Sequence, residues 1–256
     1  MTNRMPILFV GHGSPMNAIE DNEFSRAWIK AGEALPLPKA ILCVSAHWET
    51  EDTQVTAMEK PKTIYDFYGF PPELYAARYP APGSPELAQR ICDLVKPLAV
   101  RLDQTWGLDH GTWSVLSRLF PKADVPVLQL SLDVKKSPQQ HYDLGRQLKA
   151  LRDEGVLILG SGNVVHNLRI LNWGDSAYDW AVEFDAKVKK WILDDDHAAA
   201  IQYHKQGQPA ALAINSAEHY KPLLYVLGAK EPGEPVTFFA DKVTLGSISM
   251  RSVRIG

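Results

Sequence analysis

This sequence predicts an α/β fold with a central, mostly parallel sheet, helices on its flanks and an antiparallel edge. Three observations predict it. Short apolar runs alternate with helical patterns along the chain, the order that builds parallel sheets. The runs are nearly continuous in apolar residues, as in strands covered on both faces. The C-terminal stretch "SISMRSVRIG" alternates instead, which marks an edge or antiparallel strand.

The first strand is "PILFV" (6–10), which the chain leaves at once through Gly11, His12 and Gly13. The second is "AILCVSA" (40–46), ended by His47. Next comes "IYDFYGFPPELYAARYPAPG" (64–83), too apolar for a solvated loop. It is either a packed lid over the sheet or the wall of a pocket for a flat apolar ring. In "GSPELAQRICDLVKPL", Ser84 is the N-cap and Pro85 the first residue of a helix. The third strand is "VPVLQLSL" (125–132), followed by a helix that repeats the arrangement with Ser137 and Pro138 and stops at Gly155. The fourth strand is "VLILG" (156–160). Two late helices follow, "YDWAVEFDAKVKKWILDD" and "AEHYKPLLYVLGA", the second with Pro222 in its first turns.

No linker, charge run or repeat divides the 256 residues, so one catalytic domain spanning 1–256 is expected. The net charge is −3 and the Lys and Arg residues are scattered, which gives no footprint for nucleic acid or an anionic membrane. Two cysteines are too few for a disulfide framework; Cys43 and Cys92 read as small buried hydrophobes in a reducing compartment. The N-terminal apolar run is too short for a signal peptide and the longest apolar stretches are too short to span a bilayer. A cytoplasmic protein is expected.

The chemistry is carried by histidines. Ligands in such sheets bind beyond the carboxyl ends of the strands. Of eight histidines, His12, His47 and His166 stand just past strand ends, while His110 lies in "WGLDHGTW" and His219 in "SAEHY". His141, His197 and His204 sit in polar helical surroundings and read as solvated faces. One histidine in a turn is most simply satisfied by backbone. Several at one rim would repel when protonated and lose solvation when neutral, and a shared cation removes both difficulties. Metal binding is therefore favoured on placement, although no compact H-E-x-x-H motif is present. Glycines beside His12 and His110 and in the His166 loop would allow close backbone approach. "GHGSP" lacks the frame of a nucleophile elbow, and "GSGNVV" lacks the third glycine or lysine of a phosphate cradle.

"GHGSPMNA", "VSAHWET", "YDFYGFP", "YPAPGSPELA", "WGLDHGTW", "PVLQLSLD", "GSGNVVHNL" and "EHYKPLLYVLGA" together resemble the class III extradiol ring-cleavage dioxygenases, in the 4,5-DOPA extradiol dioxygenase branch with its bacterial members. The resemblance runs in order from residue 6 to the C-terminus. It implies an α/β fold with one mononuclear metal, Fe(II) for activity, and a catechol such as L-DOPA opened by O2. It implies His12 and His47 as metal ligands, His219 as the third, and His166 and His110 as catalytic or second-layer histidines. In bacterial relatives isolated with Zn(II), the His166 position also looks like a fourth ligand. We assign His166 the acid–base role and His110 a stabilising one. The resemblance favours His219 over Glu218, and neighbours on a helix point about 100° apart, so one of the two ligates. A zinc-dependent hydrolase or a non-catalytic metal-binding protein on the same histidines is the alternative, because four histidines would close a tetrahedral Zn(II) site.

Overall fold

A computed structural model describes residues 4–174 and 176–256. The residues ILFVG carry nothing that needs water and form β1 (Ile7–Gly11), buried throughout. Helix α1 (Glu23–Glu33) is started by Asn22, whose side chain and that of Ser25 form a reciprocal capping box. Strand β2 (Ala40–Thr50) outruns its predicted end, so His47 lies inside it, where the register with the neighbouring strand shifts between Val44 and Glu49. Short β3 (Gln54–Thr56) and helix α2 (Pro72–Ala76) precede α3 (Pro85–Leu94), capped by Ser84 as predicted. Then come β4 (Arg101–Asp103), α4 (His110–Leu119), β5 (Val127–Asp133), α5 (Pro138–Leu148), capped by Ser137, and β6 (Val156–Gly162).

Helices α6 (Asp179–Leu193), α7 (His197–Ile201), α8 (Gln208–Ala213) and α9 (Lys221–Gly228) follow. The chain closes with β7 (Val236–Phe239), β8 (Val243–Thr244), β9 (Ile248–Ser249) and β10 (Ser252–Ile255). The main sheet runs β4-β3-β5-β2-β6-β1-β10-β7, and β8 pairs with β9 separately. Strands β5, β2, β6 and β1 form a parallel centre, while β10 pairs antiparallel with both β1 and β7. The C-terminal strand is thus antiparallel but second from the edge; β7, which the sequence pattern did not predict, covers it.

Alternate residues of the central strands feed two cores, as the twofold period of a strand requires. Ile7, Phe9, Leu42, Val44, Leu128 and Ile158 pack on α5, α6 and α9. Leu8, Val10, Ile41, Cys43, Val127 and Leu159 pack on α1 and α4. Burial on both faces explains why the runs read as continuous.

Two expectations change. His141 is not solvated: with Leu144, Gly145 and Leu148 it forms the inner stripe of α5, it is 0% exposed, and its Nδ1 lies 2.9 Å from the Tyr225 hydroxyl. Gly145 allows the α9 backbone so close that an added Cβ would lie 2.4 Å from the Tyr225 carbonyl oxygen. His197 is half-buried with Nδ1 2.8 Å from the Tyr142 hydroxyl, whereas His204 is exposed. Cys43 is buried and Cys92 half-buried, both free. Among the described residues no helix is long and apolar enough to cross a membrane.

Candidate metal centre

Beyond the carboxyl end of β1, His12 continues the ladder by donating its backbone N–H to the Gly162 carbonyl at 3.0 Å. Its ring is 1% exposed and its Nδ1 lies 3.0 Å from Ser161 Oγ. The Ser161 hydroxyl donates its one proton to the Gly111 carbonyl at 2.5 Å. Ser161 Oγ must therefore accept from His12 Nδ1–H, which leaves a bare lone pair on His12 Nε2. His47 Nε2 lies 3.0 Å from that nitrogen. The His47 ring is brought there by the irregular stretch of β2, and its Nδ1 lies 3.6 Å from Asp66 Oδ2.

His110 is the first residue of α4, which Asp109 fixes to the sheet. Asp109 Oδ1 accepts from the Thr112 backbone N–H and the Ser45 hydroxyl, and Oδ2 accepts from Gln129 Nε2 at 2.6 Å. The helix comes so close to β2 that a Cβ on Gly111 would lie 2.7 Å from Ser45 Oγ and 2.9 Å from His47 Cδ2. His110 is gripped by Asp66, with backbone N–H to Oδ1 at 2.9 Å and ring Nδ1 to Oδ2 at 2.9 Å. Burial raises Asp109 above the usual carboxylate range. Burial alone would raise Asp66 too, but the hydrogen bond from His110 and the adjoining imidazoles bring it below that range.

The other side of the site comes from the chain after β6 and the turn before α9. The His219 carbonyl accepts the Asn163 N–H at 2.8 Å, and a Cβ on Gly162 would lie 2.1 Å from that oxygen. His219 Nδ1 lies 2.9 Å from Glu218 Oε1, which also accepts the Ser216 hydroxyl. Here the sequence expectation is corrected: Glu218 and His219 lie in a turn and α9 begins at Lys221, so helical spacing does not decide between them. His166 stacks on His219 with ring centroids 3.5 Å apart and planes 10° apart.

All five histidines singled out from the sequence converge. His219 lies 5.2 Å from His12 and 5.0 Å from His47 between centroids, and His110 lies 3.9 Å from His47. Ligand atoms of His12, His47 and His110 lie within 4.8 Å of one another, as do those of His166, Glu218 and His219. Burial, then the neighbouring imidazoles, holds His12 and His219 well below the ordinary imidazole value. Burial is also the main cause that lowers His47 to about 3 and His166 to about 4. Neutral rings are what a cation needs. Two nitrogens each about 2.0–2.1 Å from a shared ion at about a right angle would be about 3 Å apart, the spacing of His12 Nε2 and His47 Nε2. The residues fit a single metal site.

The aromatic segment 64–83 divides between its two predicted roles. Leu74, Tyr79 and Ala81 are buried in the core on the α1–α4 face, as a lid would be. Phe67 stands edge-on to His110 at 5.6 Å, as a wall would. Sequence reasoning missed Asp66, Ser161, Asp109 and Gln129. A lone carboxylate within "IYDFYGF" was the available signal for Asp66; for Ser161 and Gln129, inside apolar strands, there was little.

Comparison with known proteins follows the same direction. The family model for the catalytic LigB subunit of aromatic ring-opening dioxygenase matches residues 6–251. The chain is 51% identical to a 4,5-DOPA dioxygenase extradiol of Escherichia coli, over 100% of this chain and 96% of that one. It is 40% identical to a 4,5-DOPA dioxygenase extradiol of Beta vulgaris, over 86% and 85% of the two chains. A crystal structure of an uncharacterized Escherichia coli protein superposes with a TM-score of 0.87 at 47% identity, covering 99% of this chain and 100% of that one.

Proposed function

This chain belongs to the LigB family of aromatic ring-opening dioxygenases and is an extradiol ring-cleavage dioxygenase; from that premise we propose that it opens L-DOPA or a closely similar catechol with O2 by 4,5-cleavage. Residues 1–256 act as one catalytic domain in the cytoplasm. The single observation that carries the reading is the convergence of five imidazoles, with the bare Nε2 of His12 3.0 Å from His47 Nε2. The relatives named for 4,5-DOPA cleavage support the substrate and the bond that is cut.

His12, His47 and His219 would hold the metal, with His166 as a fourth imidazole beside His219. Bound there, Fe(II) would supply the redox chemistry between catechol and O2, which Zn(II) lacks. Stacked on His219, whose Nδ1 takes the hydrogen bond to the nearby Glu218, His166 is better suited to a ligand's role than to a base's. The proton-carrying role therefore passes to His110, which has Asp66 at its Nδ1. His110 Nε2 takes a catechol hydroxyl proton and returns it to the opened product. Phe67 offers an apolar edge against which a flat ring can be held. Family membership does not favour the zinc hydrolase or the non-catalytic alternative.

The test is metal removal and anaerobic reloading with Fe(II) or Zn(II), then L-DOPA and air, with oxygen uptake and the visible spectrum recorded. Uptake with a yellow ring-opened product for iron alone is expected. Uptake with other catechols but not L-DOPA would overturn the substrate, and none with any catechol would overturn the reaction.

A further inference from the structure

Asp66 lies between Tyr65 and Phe67 with its side chain 18% exposed, directly after two residues that are tied down. The Ile64 N–H donates to the Leu108 carbonyl at 2.7 Å, Trp113 Nε1 donates to the Ile64 carbonyl at 2.8 Å, and the Tyr65 hydroxyl donates to the Ala77 carbonyl at 2.5 Å. This anchored backbone directs one carboxylate at two donors of one residue. Oδ1 takes the His110 backbone N–H, one of the first-turn donors that a helix cannot satisfy itself. Oδ2 lies 2.9 Å from His110 Nδ1 but 3.6 Å from His47 Nδ1, so the hydrogen bond belongs to His110.

We propose that Asp66 is a positioning residue for ring opening: it holds His110 as the Nδ1–H tautomer and presents a bare Nε2 to the catechol. The proposal rests on His110 being the proton carrier. An ionised carboxylate only accepts hydrogen bonds, so the ring nitrogen facing it carries the proton. The opposite tautomer would set the Nδ1 lone pair against Oδ2. Phe67 packs edge-on against the same ring with centroids 5.6 Å apart, so the imidazole is restrained in rotation as well as in protonation. In the reaction the catechol O–H bond breaks and an Nε2–H bond forms. The imidazolium so made faces the Asp66 carboxylate, and the proton leaves again with the product.

Asp66→Asn tests this at nearly constant shape. The amide oxygen can still accept the His110 backbone N–H, while the amide NH2 now faces Nδ1 and favours the Nε2–H tautomer. In metal-free protein labelled with 15N-histidine, and with His110→Gln to assign the signals, the wild type should show protonated Nδ1 and bare Nε2 at His110. Asp66→Asn should show the reverse. With iron loaded, the variant should keep full metal stoichiometry and KM, and lose kcat by about 10²-fold. An unchanged tautomer in the variant would overturn the proposal. So would loss of metal, which would place the effect at His47. A reversed tautomer with unchanged kcat would overturn instead the reading of His110 as proton carrier. Should the variant fail to fold, the wild-type spectrum decides alone, because a bare Nδ1 on His110 refutes the assignment.

Discussion

At the carboxyl ends of the parallel strands five imidazoles share one small volume; between α5 and α9 a single imidazole, His141, is buried as deeply and stands alone. Burial lowers the basicity of both regions, His141 to about 4 and His166 likewise to about 4. Depth is therefore not what distinguishes a site. The difference is what holds each ring. At the rim, Ser161, Asp66 and Glu218 stand at the Nδ1 of His12, His110 and His219 respectively, which leaves Nε2 as the nitrogen each ring has to offer. At the helix interface the Tyr225 hydroxyl meets His141 Nδ1, and Nε2 has no hydrogen-bond partner among the described residues. Among the described residues, His141 belongs to no group of possible metal ligands.

The sharpest way to break this comparison is to remove a rim histidine proposed as a ligand. His12→Ala and His47→Ala should each abolish stoichiometric metal binding and turnover, measured by elemental analysis and oxygen uptake. Full metal content in either variant would remove that residue from the ligand set. His110→Ala should keep the metal and lose about 10²–10⁴-fold in kcat; an active variant would show that no proton passes through this ring. Glu218→Gln should weaken metal affinity by about 10-fold, because the amide can still meet His219 Nδ1 but lacks the charge. Complete loss of metal would make Glu218 itself a ligand.

His141→Gln should leave metal and turnover alone and change only the response to acid. His141 is neutral when folded, and its folded value of about 4 lies below the ordinary 6.5. Unfolded chain binds the extra proton between those values, so the stability contribution present above pH 6.5 is lost as pH falls towards 4. From pH 7 to pH 5 the wild type should lose about 2 kcal/mol more than the variant in urea unfolding. Equal slopes would show that His141 reaches a proton without unfolding.

The fold was legible where local chemistry dominates. Ser84 and Ser137 announced their helices, since a cap and the turn it closes are sequence neighbours. The runs at 6–10, 40–46, 125–132 and 156–160 announced the central strands because burial on both faces leaves little but apolar residues. Strands β3, β4 and β7 were not legible: at three or four residues each, their pairing comes from the partner strand and not from their own pattern. His141 was misread because polar neighbours describe one side of a helix, whereas its own side meets α9.

For the site, the sequence by itself determined that His12 and His166 follow strands of the parallel sheet and that glycines stand near them. It could do so because the order of strands and turns is written locally. Tertiary structure alone decided which nitrogen of each ring is bare. His12 depends on Ser161, 149 residues away, and His110 on Asp66, 44 residues away; only Glu218 is next to the ring it holds. A tautomer is set by whatever acceptor stands about 3 Å from one ring nitrogen, and for His12 and His110 only the closed sheet and the anchored aromatic segment put one there.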